Sequence, residues 1–287
     1  MKVNLGGIVP LSTVDWTGRA ALVVFLRGCP LRCPHCQNRD LQEGDSSVAF
    51  HVVASRIVSQ VKGEMCITKS FAPLSLQIDL DEASERVRSK PFVNALVISG
   101  GEPLLQHEQC ARLFRLARSL HLDTGLETSG CYPEGLSELL KMDLLDKVFL
   151  DIKANLIDPD YERATAKSGF ASRIRESLRA CMESGVPLDV RTTIFPKTPD
   201  PLEVAKIAKT LFELKSEFPN HGLQSMVLQQ GRPREGESGF EPVTLESLNA
   251  MAEMIRDLID VQVRAAPKTK LEKVDRSPSK QLGGVMS

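Results

Sequence analysis

Cys29, Cys33 and Cys36 fall within one short stretch, Arg27-Gly28-Cys29-Pro30-Leu31-Arg32-Cys33-Pro34-His35-Cys36-Gln37-Asn38. Three thiolates spaced C-x3-C-x2-C, directly after an apolar run, can wrap one small metal centre. Pro30 and Pro34 stiffen the loop, and Gly28 permits a backbone turn into it. A structural zinc site usually takes four ligands, typically from paired C-x2-C units, and no second pair exists. His35 is the nearest fourth donor, but it sits between two cysteines with little room to bend back. A ferredoxin-type site needs a fourth cysteine, often followed by proline, and none follows. Three ligands with one position left open is the arrangement of a catalytic metal centre. The other four of the seven cysteines are scattered singly. Cys110 and Cys181 lie on apolar helix faces and read as packed thiols. Cys66 has no partner spacing, and Cys131 follows a strand-end turn near the same region.

Further strand ends carry groups able to hold a polar ligand. Ser99-Gly100-Gly101-Glu102-Pro103 follows one apolar run, Glu127-Thr128-Ser129-Gly130 ends another, and Asp151-Ile152-Lys153 closes a third. Residues two apart on a strand share a face, so Phe149, Asp151 and Lys153 point one way and Val148, Leu150 and Ile152 the other. A carboxylate and an ammonium on one face of an apolar strand need partners, because unpaired buried charge is costly. A zwitterionic ligand with a carboxylate, an amine and ribose hydroxyls would supply them; so would a local Asp–Lys pair at the exposed end of the strand. Arg191, in Val190-Arg191-Thr192-Thr193, ends another strand and either reaches the ligand or faces solvent. Gln229 and Gln230 follow a later strand and would close the site.

Positioning these groups requires alternating β and α elements. Runs at Ala21–Arg27, Ala95–Ser99, Asp123–Glu127, Lys147–Lys153, Pro187–Thr193, Ser225–Gln229 and Val261–Ala265 are mostly apolar throughout, as parallel strands covered on both faces are. Helical spacing over Leu104–Leu122, Ser172–Ser184, Leu202–Phe218 and Leu245–Ile259, with a further helix near Val48–Val61, alternates with them. The pattern is that of an α/β fold with right-handed crossovers. Residues 1–267 form one domain, with 63–91 an insertion between the first helix and the second strand and 268–287 a polar tail. Lys plus Arg number 36 and Asp plus Glu 37, a net charge of −1 that argues against nucleic acid or an anionic membrane as partner. No apolar run approaches the roughly 18 to 20 residues a bilayer span needs. Met1–Pro10 lacks the apolar region of a secretory signal, so the expected location is the cytoplasm.

The cysteine loop at the end of the first strand resembles that of the radical S-adenosylmethionine (SAM) enzymes. The combination of STVDWTGR, CPLRCPHCQN, SGGEP, ETSG, FLDIK and VRTT resembles the glycyl-radical enzyme activating branch, in particular the archaeal-type activating proteins of anaerobic ribonucleoside-triphosphate reductase. In that branch Gly-Pro-Gly stands where this chain has Trp16-Thr17-Gly18. The resemblance implies an incomplete (β/α)6, TIM-like barrel with its site at the C-terminal ends of the strands. It implies one [4Fe–4S] cluster per chain on Cys29, Cys33 and Cys36, with SAM chelating the fourth iron. His35, Cys36, Gln37, Gly100, Gly101, Glu102, Glu127, Thr128, Asp151, Ile152, Lys153 and Arg191 are the implied SAM contacts. A Cβ at either glycine would obstruct the ligand. Glu127 and Asp151 are the implied seat of a monovalent cation. No side chain beyond cluster and SAM is implied as catalytic.

The implied activity is reductive cleavage of SAM and formation of a glycyl radical on a partner, anaerobic ribonucleotide reductase, fed by a low-potential electron donor. A radical SAM enzyme acting on a small molecule or a tRNA-modification precursor would need the same machinery. The lack of a second cysteine cluster and of an added nucleic-acid domain favours the activating role. An electron-transfer or zinc-binding module would have no need of SGGEP or FLDIK. The 63–91 stretch is expected at the rim or flank of the barrel, in contact with the partner.

Overall fold

The apolar runs become a nine-stranded sheet in the computed structural model, which describes residues 1–62, 92–234 and 240–266. The strands are β1 (Lys2–Ser12), β2 (Ala21–Leu26), β3 (Ser47–Ala49), β4 (Ala95–Gly100), β5 (Asp123–Thr128), β6 (Lys147–Asp151), β7 (Leu188–Ile194), β8 (Leu223–Gln230) and β9 (Val261–Arg264). Their order is β3-β1-β2-β4-β5-β6-β7-β8-β9. From β2 through β4 to β9 the pairing is parallel, whereas β1 runs antiparallel to β2 and to β3. Helices α1 (Phe50–Lys62), α2 (His107–Ser119), α3 (Pro133–Lys141), α4 (Asp158–Thr165), α5 (Ala171–Ser184), α6 (Pro201–Glu217) and α7 (Leu245–Ile255) fill the crossovers. Six β/α units followed by β9 make a curled sheet whose outermost strands, β3 and β9, do not pair: an incomplete barrel. The insertion at 63–91 and the tail at 268–287 lie outside the described residues.

Alternation along each strand divides the core in two. Outward residues such as Val24, Leu96, Ile98, Leu150 and Val190 pack with helix residues Leu113, Phe114, Leu178 and Leu211. Inward residues Ala21, Val23, Ala95, Val97 and Phe149 form a separate inner cluster with Trp16. Trp16 comes from the turn between β1 and β2 and meets the Phe149 ring edge-on at 5.7 Å. Gly125 makes room for it, since a Cβ there would lie 3.0 Å from the indole. The same turn reaches the far edge of the sheet, where Arg264 donates to the Thr17 hydroxyl at 3.1 Å. Trp16 thus plugs the bottom of the barrel, leaving the C-terminal ends of the strands for the site.

Several boundaries differ from the sequence reading. The stretch expected as one helix from Leu104 opens with a 3-10 turn over Pro103–Gln106, and β3 takes the residues just before α1. Among the described residues no helix is long and apolar enough to cross a membrane.

Candidate active site

Beyond β2 the chain turns at Gly28, whose φ of 97° suits glycine, and runs across the C-terminal end of the barrel. Backbone bonds from Gly28 N to Leu41 O (2.8 Å) and Cys29 N to Gln42 O (3.1 Å) close the loop on itself. Leu31, fully buried, anchors it in the helix-side core. Cys29, Cys33 and Cys36 are half-buried and border one cavity of about 230 Å³. Burial pushes the Cys29 thiol up to about 11 and raises that of Cys33 as well. No three His, Cys, Asp or Glu side chains among the described residues gather around a single ion. Three thiols on one loop bordering one cavity are the donor type of a thiolate-held iron–sulfur cluster.

Gly100 and Gly101 border the cavity and are also closely approached by backbone from below. A Cβ on Gly101 would stand 2.2 Å from Gly28 O, and one on Gly100 would stand 2.2 Å from Leu26 O. The end of β2 and the start of the cysteine loop thus leave no room for a side chain at either position. Asn38 Nδ2 donates to Gly100 O at 3.1 Å, sewing the two turns together from the other side. Gly101→Ala should lower the unfolding free energy of the apoprotein by about 1–3 kcal/mol through overpacking, measured by urea denaturation, and impair iron loading with it.

Glu102 also departs from expectation. It is fully buried and does not border the cavity. Its carboxylate accepts from Leu104 N (3.1 Å), Thr128 Oγ1 (2.7 Å), Ser129 N (2.9 Å) and the Ser129 hydroxyl. Its side chain ties the β4 turn to the β5 turn. Thr128 and Ser129 do border the cavity, beside Gly100 and Gly101.

On the opposite wall, Lys153 Nζ lies 3.5 Å from Asp151 Oδ2, and both border the cavity. Burial alone would lower the Lys153 ammonium, but Asp151, Cys33, Tyr161 and Cys29 outweigh it and hold it above its ordinary range. Ile152 also borders the cavity, with its side chain in the helix-side core. Arg191 is buried; it pairs with Glu127, donates to Asp15 O at 2.6 Å and lies 4.0 Å from the centre of the Phe149 ring. Burial raises the Glu127 carboxyl, opposed by Arg191. Each carboxylate is therefore matched by its own cation, Glu127 by Arg191 and Asp151 by Lys153. Glu127 and Asp151, the implied seat of a monovalent cation, border the same cavity.

His35 stacks on Phe195 at 4.4 Å and meets Phe240 edge-on at 5.1 Å, while Gln37 donates to Arg232 O at 2.9 Å. Phe195 and Thr198 border the cavity unforeseen, with the Thr198 hydroxyl enclosed and without a protein partner. Gln229 and Gln230 do not reach the cavity: Gln230 bonds Val243 O and Ala266 N instead. Cys110, Cys131 and Cys181 are buried, Cys131 against the Ser129 hydroxyl at 3.2 Å.

The radical SAM superfamily model matches residues 23–211. A Methanocaldococcus jannaschii protein provisionally named as a glycyl-radical enzyme activating enzyme is 30% identical over 214 residues, 74% of this chain and 76% of that protein. The isethionate sulfite-lyase activating enzyme of Nitratidesulfovibrio vulgaris is 26% identical over 281 residues, 82% of this chain and 90% of its own length. In fold, the chain is similar to a radical SAM methyltransferase from Sphaerobacter thermophilus, with a TM-score of 0.62 at 15% identity over 88% of this chain and 68% of that one. The matched span holds the three-thiol loop, both glycines and the Asp151–Lys153 wall, so the chain is an enzyme that belongs to the radical SAM superfamily.

Proposed function

We propose that this enzyme generates a glycyl radical on a partner, anaerobic ribonucleoside-triphosphate reductase, in the cytoplasm and with a low-potential electron donor. The observation that carries the reading is three half-buried thiols opening on a cavity whose other wall bears a carboxylate, an ammonium and a buried guanidinium. Relatives named as activating enzymes support the activating role. Cys29, Cys33 and Cys36 would hold a [4Fe–4S] cluster, which together with SAM supplies one-electron reductive cleavage and hydrogen abstraction. Lys153 and Asp151 offer opposite charges to a ligand that carries both a carboxylate and an amine. Arg191, fixed by Glu127 and Asp15 O, presents a guanidinium that cannot swing away. His35 and Phe195 close one side with aromatic surface, and the enclosed Thr198 hydroxyl awaits a polar partner. The surrounding apolar barrel keeps water from the reacting atoms.

The test is anaerobic: reconstitute the full chain, reduce it, add SAM and a candidate partner, and record the electron paramagnetic resonance spectrum. A glycyl doublet on the ribonucleotide reductase, and none on a pyruvate formate-lyase control, is the expected result. A doublet only on the control would reassign the partner; stoichiometric SAM turnover driven by a small molecule would remove the protein substrate altogether. In the same preparation Lys153→Ala and Asp151→Ala should weaken SAM binding about 10- to 100-fold, as loss of a charged hydrogen bond of about 1.5–3 kcal/mol implies, while iron content stays at the wild-type level. Unchanged affinity in both variants would reduce the pair to a local ion pair.

A further inference from the structure

We propose that Glu102 is a positioning residue whose buried charge holds the reduction potential of the cluster low. The inference rests on the reading that Cys29, Cys33 and Cys36 hold a [4Fe–4S] cluster. Glu102 has no exposed surface, and its side chain faces away from the cavity into a shell of donors. Leu104 N, Thr128 Oγ1, Ser129 N and Ser129 Oγ all bond it. Thr128 Oγ1 already accepts from Gly130 N at 3.0 Å, so its own hydrogen points at the carboxylate. Burial pushes the Glu102 carboxyl up, and the donors around it oppose that push by favouring the ionised form. These four partners are neutral, so they disperse the charge without cancelling it.

The charge sits directly behind the cysteine loop. Glu102 N donates to Gly28 O at 2.7 Å, one residue before Cys29, and Gly101 N donates to Leu26 O at 2.9 Å. Thr128 and Ser129, which bond the Glu102 carboxylate, border the cavity on which Cys29, Cys33 and Cys36 open. A fixed anion in a low-dielectric setting favours the more positive, oxidised state of a nearby cluster and so lowers its potential. Lys153, on the opposite wall, is paired with Asp151. Glu102 is the contribution with no cation beside it in its hydrogen-bond shell.

The experiment is a redox titration of the anaerobically reconstituted full-length chain, followed by electron paramagnetic resonance, for wild type, Glu102→Gln and Thr128→Ser. Glu102→Gln should shift the reduction equilibrium about tenfold toward the reduced cluster, an upward change of ~59 mV for a one-electron couple. Thr128→Ser loosens the same turn but keeps the hydroxyl donor and so the charge, and its potential should not rise. An unmoved potential in Glu102→Gln at full iron content overturns the proposal, as does an equal rise in both variants, which would trace the shift to loosened packing. If Glu102→Gln does not fold, Ser129→Ala and Thr128→Val decide: stripping donors favours protonation of Glu102 and removes its charge, so the potential should rise at full iron content, and an unchanged or lowered value overturns the proposal. A wild-type protein that binds no cluster would instead overturn the cofactor reading, which the iron content reports separately.

Discussion

Cys33→Ala, like Cys29→Ala and Cys36→Ala, should strip nearly all iron from a protein that otherwise carries about four irons per chain, as a [4Fe–4S] centre requires. No other described thiol is placed to substitute. Cys110 and Cys181 are packed in the helix-side core, and Cys131 is buried against Ser129. Iron and sulfide analysis after anaerobic reconstitution checks the result. Cys131→Ala should retain its iron; equal loss in that variant would sink the three-ligand, open-site arrangement. Loading must also displace protons, because burial holds the Cys29 thiol near 11 and raises Cys33. Iron uptake should therefore become more complete as pH rises.

Arg191→Ala should cost the apoprotein about 3–5 kcal/mol of unfolding free energy, the usual consequence of leaving one member of a buried pair alone. Glu127 would keep only the Ser99 side chain as a hydrogen-bond partner, and Asp15 nearby repels it. The sign of the pH dependence follows from the direction of the Glu127 shift. Its folded-state value is raised by burial, and loss of the guanidinium raises it further. A raised carboxyl contributes stability that is fully present below its unfolded value and lost as pH rises through its folded value. The deficit should therefore be smallest in mild acid and grow toward neutrality. Urea denaturation across that range checks it, and a deficit independent of pH would mean that lost packing against Phe149, rather than the ion pair, dominates.

The parallel strands were legible because burial on both faces writes near-continuous apolar runs, as in Ala21–Leu26 and Ala95–Gly100. β1 was not, since it is half exposed, interrupted by Gly6-Gly7, and paired antiparallel at the flank of the barrel. α3 and α4 escaped notice because nine and eight residues give too few turns for a periodic signal. At the site, the cysteine spacing and the shared face of Asp151 and Lys153 survive translation into three dimensions. Glu102 could not be placed from sequence, because a carboxylate after two glycines can turn to the ligand or to the neighbouring turn, and only the Thr128-Ser129 donors decide it. Phe195 and Thr198 carry no spacing signal; they meet the cysteine loop only through the curl of the sheet. Trp16 was legible as a departure from a motif but not as the plug it forms.

The close approach of Gly100 and Gly101 to Leu26 and Gly28 has a bearing on biogenesis. Half of the scaffold that shapes the metal-binding loop is supplied by residues synthesised some seventy positions later, as the Gly28–Glu102 and Asn38–Gly100 contacts show. A nascent chain that ends before β4 has the loop's own Gly28–Leu41 and Cys29–Gln42 bonds but none of the contacts that later residues supply. Domains generally fold as units during synthesis, and here the walls of the cavity are complete only once β7, Phe195 and Thr198 have joined the earlier strands.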